Sequence, residues 1–589
     1  MHRAVGNAIK LRPATGTDSP LMLTPEMRST HLYVCGSTGT GKSKLLEYLI
    51  RQDIAQWHDS KCGALIIDPH GSLYDGLMNW LAWNADLLGD VPIVPIDLRK
   101  TDWTIGYNVL RPRPDADTSV IVNNFVQAMS YVFGADGTAQ TPLFAREASN
   151  VLWALYENKM TLLEAQYLID RLNTRMRSAI TQGISKRSVA QAWEFANSLS
   201  PRDFDAQISS TLNRFHPFLQ NERLCLMFGQ TGASLDLSQA LDEGQILLVN
   251  LSTQGVRVSD EDAALFATIL LSDLWIAAKQ RGKGTEEQDV KPFYVYIDEF
   301  QNFVTPTIAK NLDQARGFGL HLTLANQFPK QIIHAGANGA AVYDSVMANA
   351  RSKIVFETRH EEDLRRLALE LFMGTMSPDE IKHEIYSTKV MDYVEETRTV
   401  RGRSESWSEA TGNFTGATGT ESFGGAIHGN EEQDPSQWNR SEADSTGTSN
   451  MDMRGGGTSE MEVPYLRHVM GKELSSREYR KLDEQLFRAM AVLHDQKQRH
   501  GVARLVGMHA PTAIVTPTVQ KMPTSREMTA EFLKRAYDKL PFALPNALAR
   551  KQIKDREAKF LTSGFQETAE PATARRKNRP PKSEEIAPT

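Results

Sequence analysis

Eight consecutive residues, Gly36, Ser37, Thr38, Gly39, Thr40, Gly41, Lys42 and Ser43, follow the G-x-x-x-x-G-K-[ST] spacing. Glycines at these positions let backbone N–H groups close around phosphate oxygens with no Cβ in the way. The lysine brings a positive charge to the outer phosphates, and the terminal hydroxyl offers Mg²⁺ an oxygen. Far downstream, Tyr294-Val295-Tyr296-Ile297-Asp298-Glu299 ends an apolar run in two adjacent carboxylates. Asp298 fits a Mg²⁺ ligand acting through a water, and Glu299 fits a base that orients and deprotonates an attacking water. Together they point to hydrolysis of a nucleoside triphosphate, with ATP and Mg²⁺ as the expected ligands. A kinase, which must keep water out, has no use for a base aimed at one. Gln327 closes a third apolar run and is placed to sense the terminal phosphate or hold the water. Arg316 and Arg351 each precede an apolar run, and either suits an arginine finger reaching a neighbouring subunit's nucleotide. Asp68-Pro69-His70-Gly71 is open to two readings, catalytic support or a simple turn.

These groups must be carried to one place, and the hydropathy pattern supplies the means. HLYVC (31–35) runs into the glycine-rich segment, and Leu46, Leu49, Ile50 and Ile54 then share one helical face. ALIID (64–68), VPIVPID (91–97), QILLVNL (245–251), FYVYID (293–298), LHLTLA (320–325) and KIVFE (353–357) are further apolar runs. Near-continuous apolar strands joined by helical crossovers predict a parallel sheet covered on both faces. Residues 116–238 read as helix after helix, an all-α insertion in one connection of that sheet. The fold class is therefore α/β, with a P-loop NTPase core over 31–115 and 239–398 and a short N-terminal extension over 1–30. Residues 399–462 are rich in Ser, Thr, Gly, Asn and Glu and predict a flexible insertion. Ser475 and Glu478 resemble a helix cap ahead of Tyr479, Leu482, Leu486, Met490 and Leu493. With a hairpin around Gly507 to Pro511, they predict a small appended C-terminal α+β region over 463–562. Residues 563–589 read as a disordered tail with a basic cluster.

The whole chain narrows the function further. At 589 residues, with 41% hydrophobic and 23% charged, it is long enough for several domains and has the composition of a globular protein with a core. A net charge of −6 argues against passive coating of nucleic acid, though basic residues confined to a pore remain compatible with it. Cys35, Cys62 and Cys225 lack metal-ligand spacing and read as reduced and mostly buried thiols. No apolar run is long enough for a membrane span and the N-terminus lacks a secretory h-region, so a cytoplasmic location is expected.

GSTGTGKS, LIIDPHGSLYD, PIDLRKTDWTIGYNVLRP, SSTLNRFHPFL, LDEGQILLVNLS, YVYIDEFQNF, ARGFGLHLTLANQ and NARSKIVFE follow one another between residue 31 and about residue 370. In this order they resemble the additional-strand branch of RecA-like ATPases, the HerA/FtsK group of DNA translocases, and within it the TraG/TraD-like type IV coupling proteins of conjugation. The resemblance implies a homo-hexameric ring with ATP at its subunit interfaces and DNA in a central channel. It also implies that 116–238 meets the DNA-processing complex at the cytoplasmic mouth, with relaxosome or secretion-channel proteins as partners. Carried over, Gly36 to Ser43 hold the phosphates, Ser43 and Asp298 the Mg²⁺, and Glu299 activates water. Gln327 is then the sensor, and Arg316 and Arg351 are the finger candidates. Coupling proteins usually begin with transmembrane helices. The absence of one here suggests a cytoplasmic motor held at the inner membrane, if at all, through a partner. Two rivals stay open: a secretion ATPase that moves polypeptide, and an ATP-binding switch or scaffold.

Overall fold

Each apolar run becomes a strand in the computed structural model, which describes residues 6–14, 19–99, 102–113, 117–133, 142–254, 258–281, 290–303, 312, 314–336, 338–404, 415–421, 440–446 and 457–566. In chain order the first ten strands are β1 (Ile9–Pro13), β2 (Leu21–Leu23), β3 (Leu32–Cys35), β4 (Gly63–Asp68), β5 (Ile93–Asp97), β6 (Trp103–Ile105), β7 (Ile246–Asn250), β8 (Phe293–Ile297), β9 (Leu320–Asn326) and β10 (Ser352–Phe356). The remainder are β11 (Ile381–Ser404), β12 (Thr415–Glu421), β13 (Arg440–Thr446), β14 (Gly457–Tyr479), β15 (His500–Arg504), β16 (Thr512–Val515) and β17 (Ala543–Pro545). One sheet runs β2-β1-β16-β15-β10-β3-β9-β8-β4-β7-β5. From β10 to β5 every neighbouring pair is parallel. This is the α/β architecture of a RecA-like P-loop core.

The inner strands β3, β4, β5, β7, β8, β9 and β10 are buried at every position because both faces are covered, and the period of two sorts their side chains between two cores. Leu65, Ile67, Leu247, Val249, Val295 and Ile297 point to one face, where they join helical residues such as Phe125, Leu152, Phe215 and Leu265. Ala64, Ile66, Ile246, Leu248, Tyr294 and Tyr296 point to the other, against Leu45 and Leu49 of helix Lys42–Ala55 and Leu73 and Leu77 of helix Ser72–Trp83. Between β6 and β7 the described residues contain helices and no strand. Local signals start and stop these helices. Ser200 caps Pro201–Gln220 with Pro201 at its first position, and Asn221 ends that helix while capping Glu222–Phe228.

The C-terminal region is not appended. β15 pairs antiparallel with β10, Lys353 opposite Arg504, and β16 pairs with both β15 and β1. The hairpin and the N-terminal strands thus extend the central sheet at its β10 edge. Beyond them, helix Arg526–Asp538 packs on helix Ser72–Trp83, β17 pairs with β6, and helix Asn546–Gln566 packs on helix Glu222–Phe228. Residues 1–377 and 481–589 form one compact unit, and 378–480 a second.

The second unit corrects two expectations. β11 and β14 form a long antiparallel ribbon, from Ile381 opposite Tyr479 to Ser404 opposite Gly457. Ser475 and Glu478 therefore lie in a strand, and the next helix begins only at Leu482, with Lys481 at its N-cap and no side-chain cap. The helical spacing was sound from Leu482 onward, but cross-strand bonds to 381–385 already satisfy the backbone before it. Within 399–462, residues 399–404, 415–421, 440–446 and 457–462 are strand, β12 pairing with β13. A two-stranded ribbon satisfies its backbone across the pair and needs no buried aliphatic layer for that. The rest of 399–462, and 567–589 with its basic cluster, lie outside the described residues.

Candidate nucleotide site

The glycine-rich segment leaves the C-terminal end of β3 and enters helix Lys42–Ala55. At Gly36 a Cβ would stand 2.5 Å from Phe356 Cβ, so the loop passes β10 only without a side chain. At Gly41, φ is +117°, a left-handed conformation that turns the chain into the helix. The loop is pinned by Ser37 N–H on Glu357 O (2.8 Å) and by Thr40 Oγ1 on Ser37 O (2.7 Å). Lys42 is buried and donates to Gly36 O (2.5 Å) and Ser37 O (3.4 Å). Its ammonium thus rests on loop carbonyls at a helix N-terminus, the setting in which phosphate oxygens are bound.

Opposite the loop, β8 delivers the two carboxylates. Ser43 Oγ donates to Asp298 Oδ2 at 2.8 Å, so the two candidate Mg²⁺ ligands are already adjacent. Burial pushes the Asp298 carboxyl up to about 6. Its bond from Ser43 works against that rise, while the charges of Glu299 and Asp68 add to it. A buried carboxylate short of positive charge is the environment a divalent cation relieves. Glu299 is buried and adopts φ of +47°, a left-handed conformation that costs a non-glycine residue on the order of 1 kcal/mol or more. Its carboxylate accepts from Gln301 Nε2 (2.7 Å) and Gln327 Nε2 (3.2 Å), and His70 Nε2 lies 4.0 Å away. Gln327 Oε1 accepts in turn from Thr38 Oγ1 (3.0 Å), so one amide bridges Glu299 and the loop.

Gly36 to Ser43, Asp298, Glu299 and Gln327 are thus brought together. Asp68 settles as a turn former. Its carboxylate accepts the N–H groups of His70 (2.9 Å) and Tyr74 (2.8 Å), which starts helix Ser72–Trp83 and places His70 beside Glu299. Arg316 and Arg351 do not join the cluster. Both are exposed and precede β9 and β10, at the sheet edge opposite the loop. Three contributors went unnoticed in the sequence. Gln301 lies two residues past Glu299 in a short 3₁₀ turn, a proximity that was legible. Gln498 and Arg499 reach the loop from the C-terminal hairpin, Arg499 N–H on Thr40 O (2.7 Å), with no local pattern to announce it.

A family model for the type IV secretion-system coupling protein DNA-binding domain matches residues 19–384. Among solved structures, the chain is similar to plasmid coupling protein TrwB in complex with the non-hydrolysable GTP analogue GDPNP, at 14% identity and a TM-score of 0.45 over 89% of this chain and 97% of that one. It is similar to TrwB in complex with ADP and Mg²⁺ at 17% identity and a TM-score of 0.39, over 62% and 83%. For VirB4 of Thermoanaerobacter pseudethanolicus the values are 12% and 0.40, over 63% and 88%. No curated protein matches the chain by sequence. Among the described residues no helix is long and apolar enough to cross a membrane.

Proposed function

The chain belongs to the type IV secretion-system coupling protein family, and from that premise we propose that it is a Mg²⁺-dependent ATPase whose hydrolysis drives DNA through a homo-hexameric ring. The observation that carries the reading is Glu299, strained, buried and held by Gln301 and Gln327 next to the Ser43–Asp298 pair. A binding switch has no need to hold a carboxylate in this conformation beside a phosphate loop.

In this mechanism the loop N–H groups and the N-terminus of helix Lys42–Ala55 hold the phosphates, and Lys42 exchanges its carbonyl partners for phosphate oxygens. Ser43 Oγ and Asp298 would hold Mg²⁺, which supplies charge neutralisation across the outer phosphates. One oxygen of the Glu299 carboxylate then takes the proton of a water aligned by the Gln327 amide, as that water's oxygen bonds to the terminal phosphorus and ADP leaves with the bridging oxygen. Gln327 touches both the loop hydroxyl of Thr38 and the base, so it couples occupancy of the loop to the position of the base. Partners follow from the family: DNA as track, with relaxosome or secretion-channel proteins at either end.

The test is ATP turnover by the full chain alone, with single-stranded DNA, with duplex DNA, and with an unfolded polypeptide. Several-fold stimulation by DNA, lost in Glu299→Gln while nucleotide binding persists, is expected. The variant should lose about 10²-fold or more in kcat. Stimulation by polypeptide alone would identify a protein-moving ATPase instead, and binding without turnover in every condition would identify a switch.

A further inference from the structure

The nucleotide loop has two flanks, and the mechanism above uses one. Glu299 and Gln327 stand at the ends of β8 and β9, on one side of β3. On the other side lie β10 and β15, and the turn entering β15 is laid directly on the loop. Gln498 Nε2 donates to Gly39 O (3.1 Å) and Arg499 N–H to Thr40 O (2.7 Å). The approach is so close that a Cβ on Gly41 would meet Arg499 Cα and Cγ, each at 3.2 Å.

The backbone of this turn is strained. Arg499 has φ of +66°, unusual for a long side chain, and the conformation is held by Thr516 N–H on Arg499 O (2.8 Å) and by the pairing of Gly501 with Phe356. Its guanidinium stays partly exposed and donates to Thr518 Oγ1 (2.5 Å), a neutral hydroxyl, and among the described residues no carboxylate pairs with it. A triphosphate whose outer phosphate faces Glu299 and Gln327 must send its inner phosphate and nucleoside out on the opposite flank. The first side chains met there are Gln498 and Arg499.

We infer that Arg499, supported by Gln498 and Thr518, holds the nucleoside end of the bound nucleotide, its guanidinium plane lying on the purine base. This rests on the nucleotide-site reading and deepens it. A planar, weakly hydrated cation suits an aromatic face in a way that a lysine ammonium does not. The assignment also gives the C-terminal hairpin a task. Docked on the loop through one backbone bond and one side-chain bond, it closes the site with a residue from some 460 positions away in sequence.

The experiment is calorimetric titration of the full chain with ADP and, separately, with inorganic tripolyphosphate, which has phosphates but no nucleoside. Arg499→Ala is expected to weaken ADP about tenfold and leave tripolyphosphate unchanged. Arg499→Lys, which keeps the charge and loses the plane, is expected to show most of the same loss, and it serves equally if the alanine variant folds poorly. Equal weakening of both ligands would overturn the assignment, because Arg499 would then act on the loop itself. So would no change in either. Wild-type protein binding neither ligand, with Lys42→Ala no different, would instead overturn the nucleotide-site reading, and the assignment with it.

Discussion

Asp298 and Glu299 are neighbours in sequence but are held in opposite ways. Glu299 has two amide donors on its carboxylate, so its charge is solvated by the protein. Asp298 has a side-chain donor in Ser43 and a backbone one in Glu299 N–H (3.1 Å), and burial lifts its carboxyl to about 6. In the proposed mechanism the pair divides its labour: Glu299 serves the water and Asp298 the cation. Ionised Asp298 without a cation destabilises the fold, so Asp298→Asn is expected to melt at or above the wild-type temperature without ligand. The gain should be on the order of 1 kcal/mol, about one degree in Tm for a chain of this length. The same variant should lose the extra stabilisation that Mg²⁺ adds to bound ADP. Differential scanning calorimetry with and without MgADP checks both; an apo Tm well below wild type would show that Asp298 is needed for folding.

The strands that carry these residues are joined by buried polar contacts. Arg28, in helix Pro25–Ser29, makes two bonds of 2.7 Å to Asp53 on helix Lys42–Ala55, and Tyr296 of β8 donates to the same carboxylate at 2.5 Å. The loop helix and the carboxylate strand are therefore tied behind the site. At the start of β3, His31 accepts Leu322 N–H on Nδ1 (3.2 Å) and lies 3.2 Å from Leu312 O on Nε2. This arrangement fits a neutral ring with its proton on Nε2. Burial lowers its pKa to about 4, with Arg316 contributing. An unfolded chain binds this proton from about pH 6.5 downward and the native one does so only near pH 4. Stability is therefore complete above pH 6.5 and falls as pH drops through that window, by up to roughly 3 kcal/mol. Buried His321, also shifted downward, adds to the slope. His31 has φ of +61°, which asparagine tolerates, so His31→Asn should flatten the decline in Tm between pH 7 and 4.5; an unchanged slope would assign it elsewhere. At this scale the sequence was legible where burial is two-sided: LIID, ILLVN and FYVYI can only be inner strands. It was not legible where pairing is distant, because nothing near Val515 signals Arg12 and nothing near Arg504 signals Lys353. The cap-like Ser475 and Glu478 misled because a local pattern has no knowledge of the strand at 381–385 that outbids it.

Across the whole molecule, the parallel sheet separates the loop from both arginines expected to serve it. The loop adjoins the C-terminal end of β10, since Ser37 N–H binds Glu357 O, while Arg351 precedes its first residue. Six residue steps at about 3.3 Å each place Arg351 roughly 20 Å from Glu357, beyond an arginine's reach. Arg316, before the seven-residue β9, is no nearer. Neither can complete the site of its own chain, so a finger role for either requires a neighbour in the proposed ring. The consequence is an experiment on mixtures. Glu299→Gln chains have intact arginines and a dead site; Arg351→Ala or Arg316→Ala chains have an intact site and no finger to lend. Each should be slow alone, by about 10³-fold where the finger is the one removed. Combined in equal amounts and allowed to exchange subunits, they should regain activity at roughly a quarter of the interfaces, those where an intact arginine meets an intact site. A variant that is slow alone and stays slow in the mixture would deny that arginine a role across the interface, and one that is fast alone is no finger. The sheet geometry requires that Arg316 or Arg351, if either catalyses, act on a neighbour's site and be rescued in the mixture.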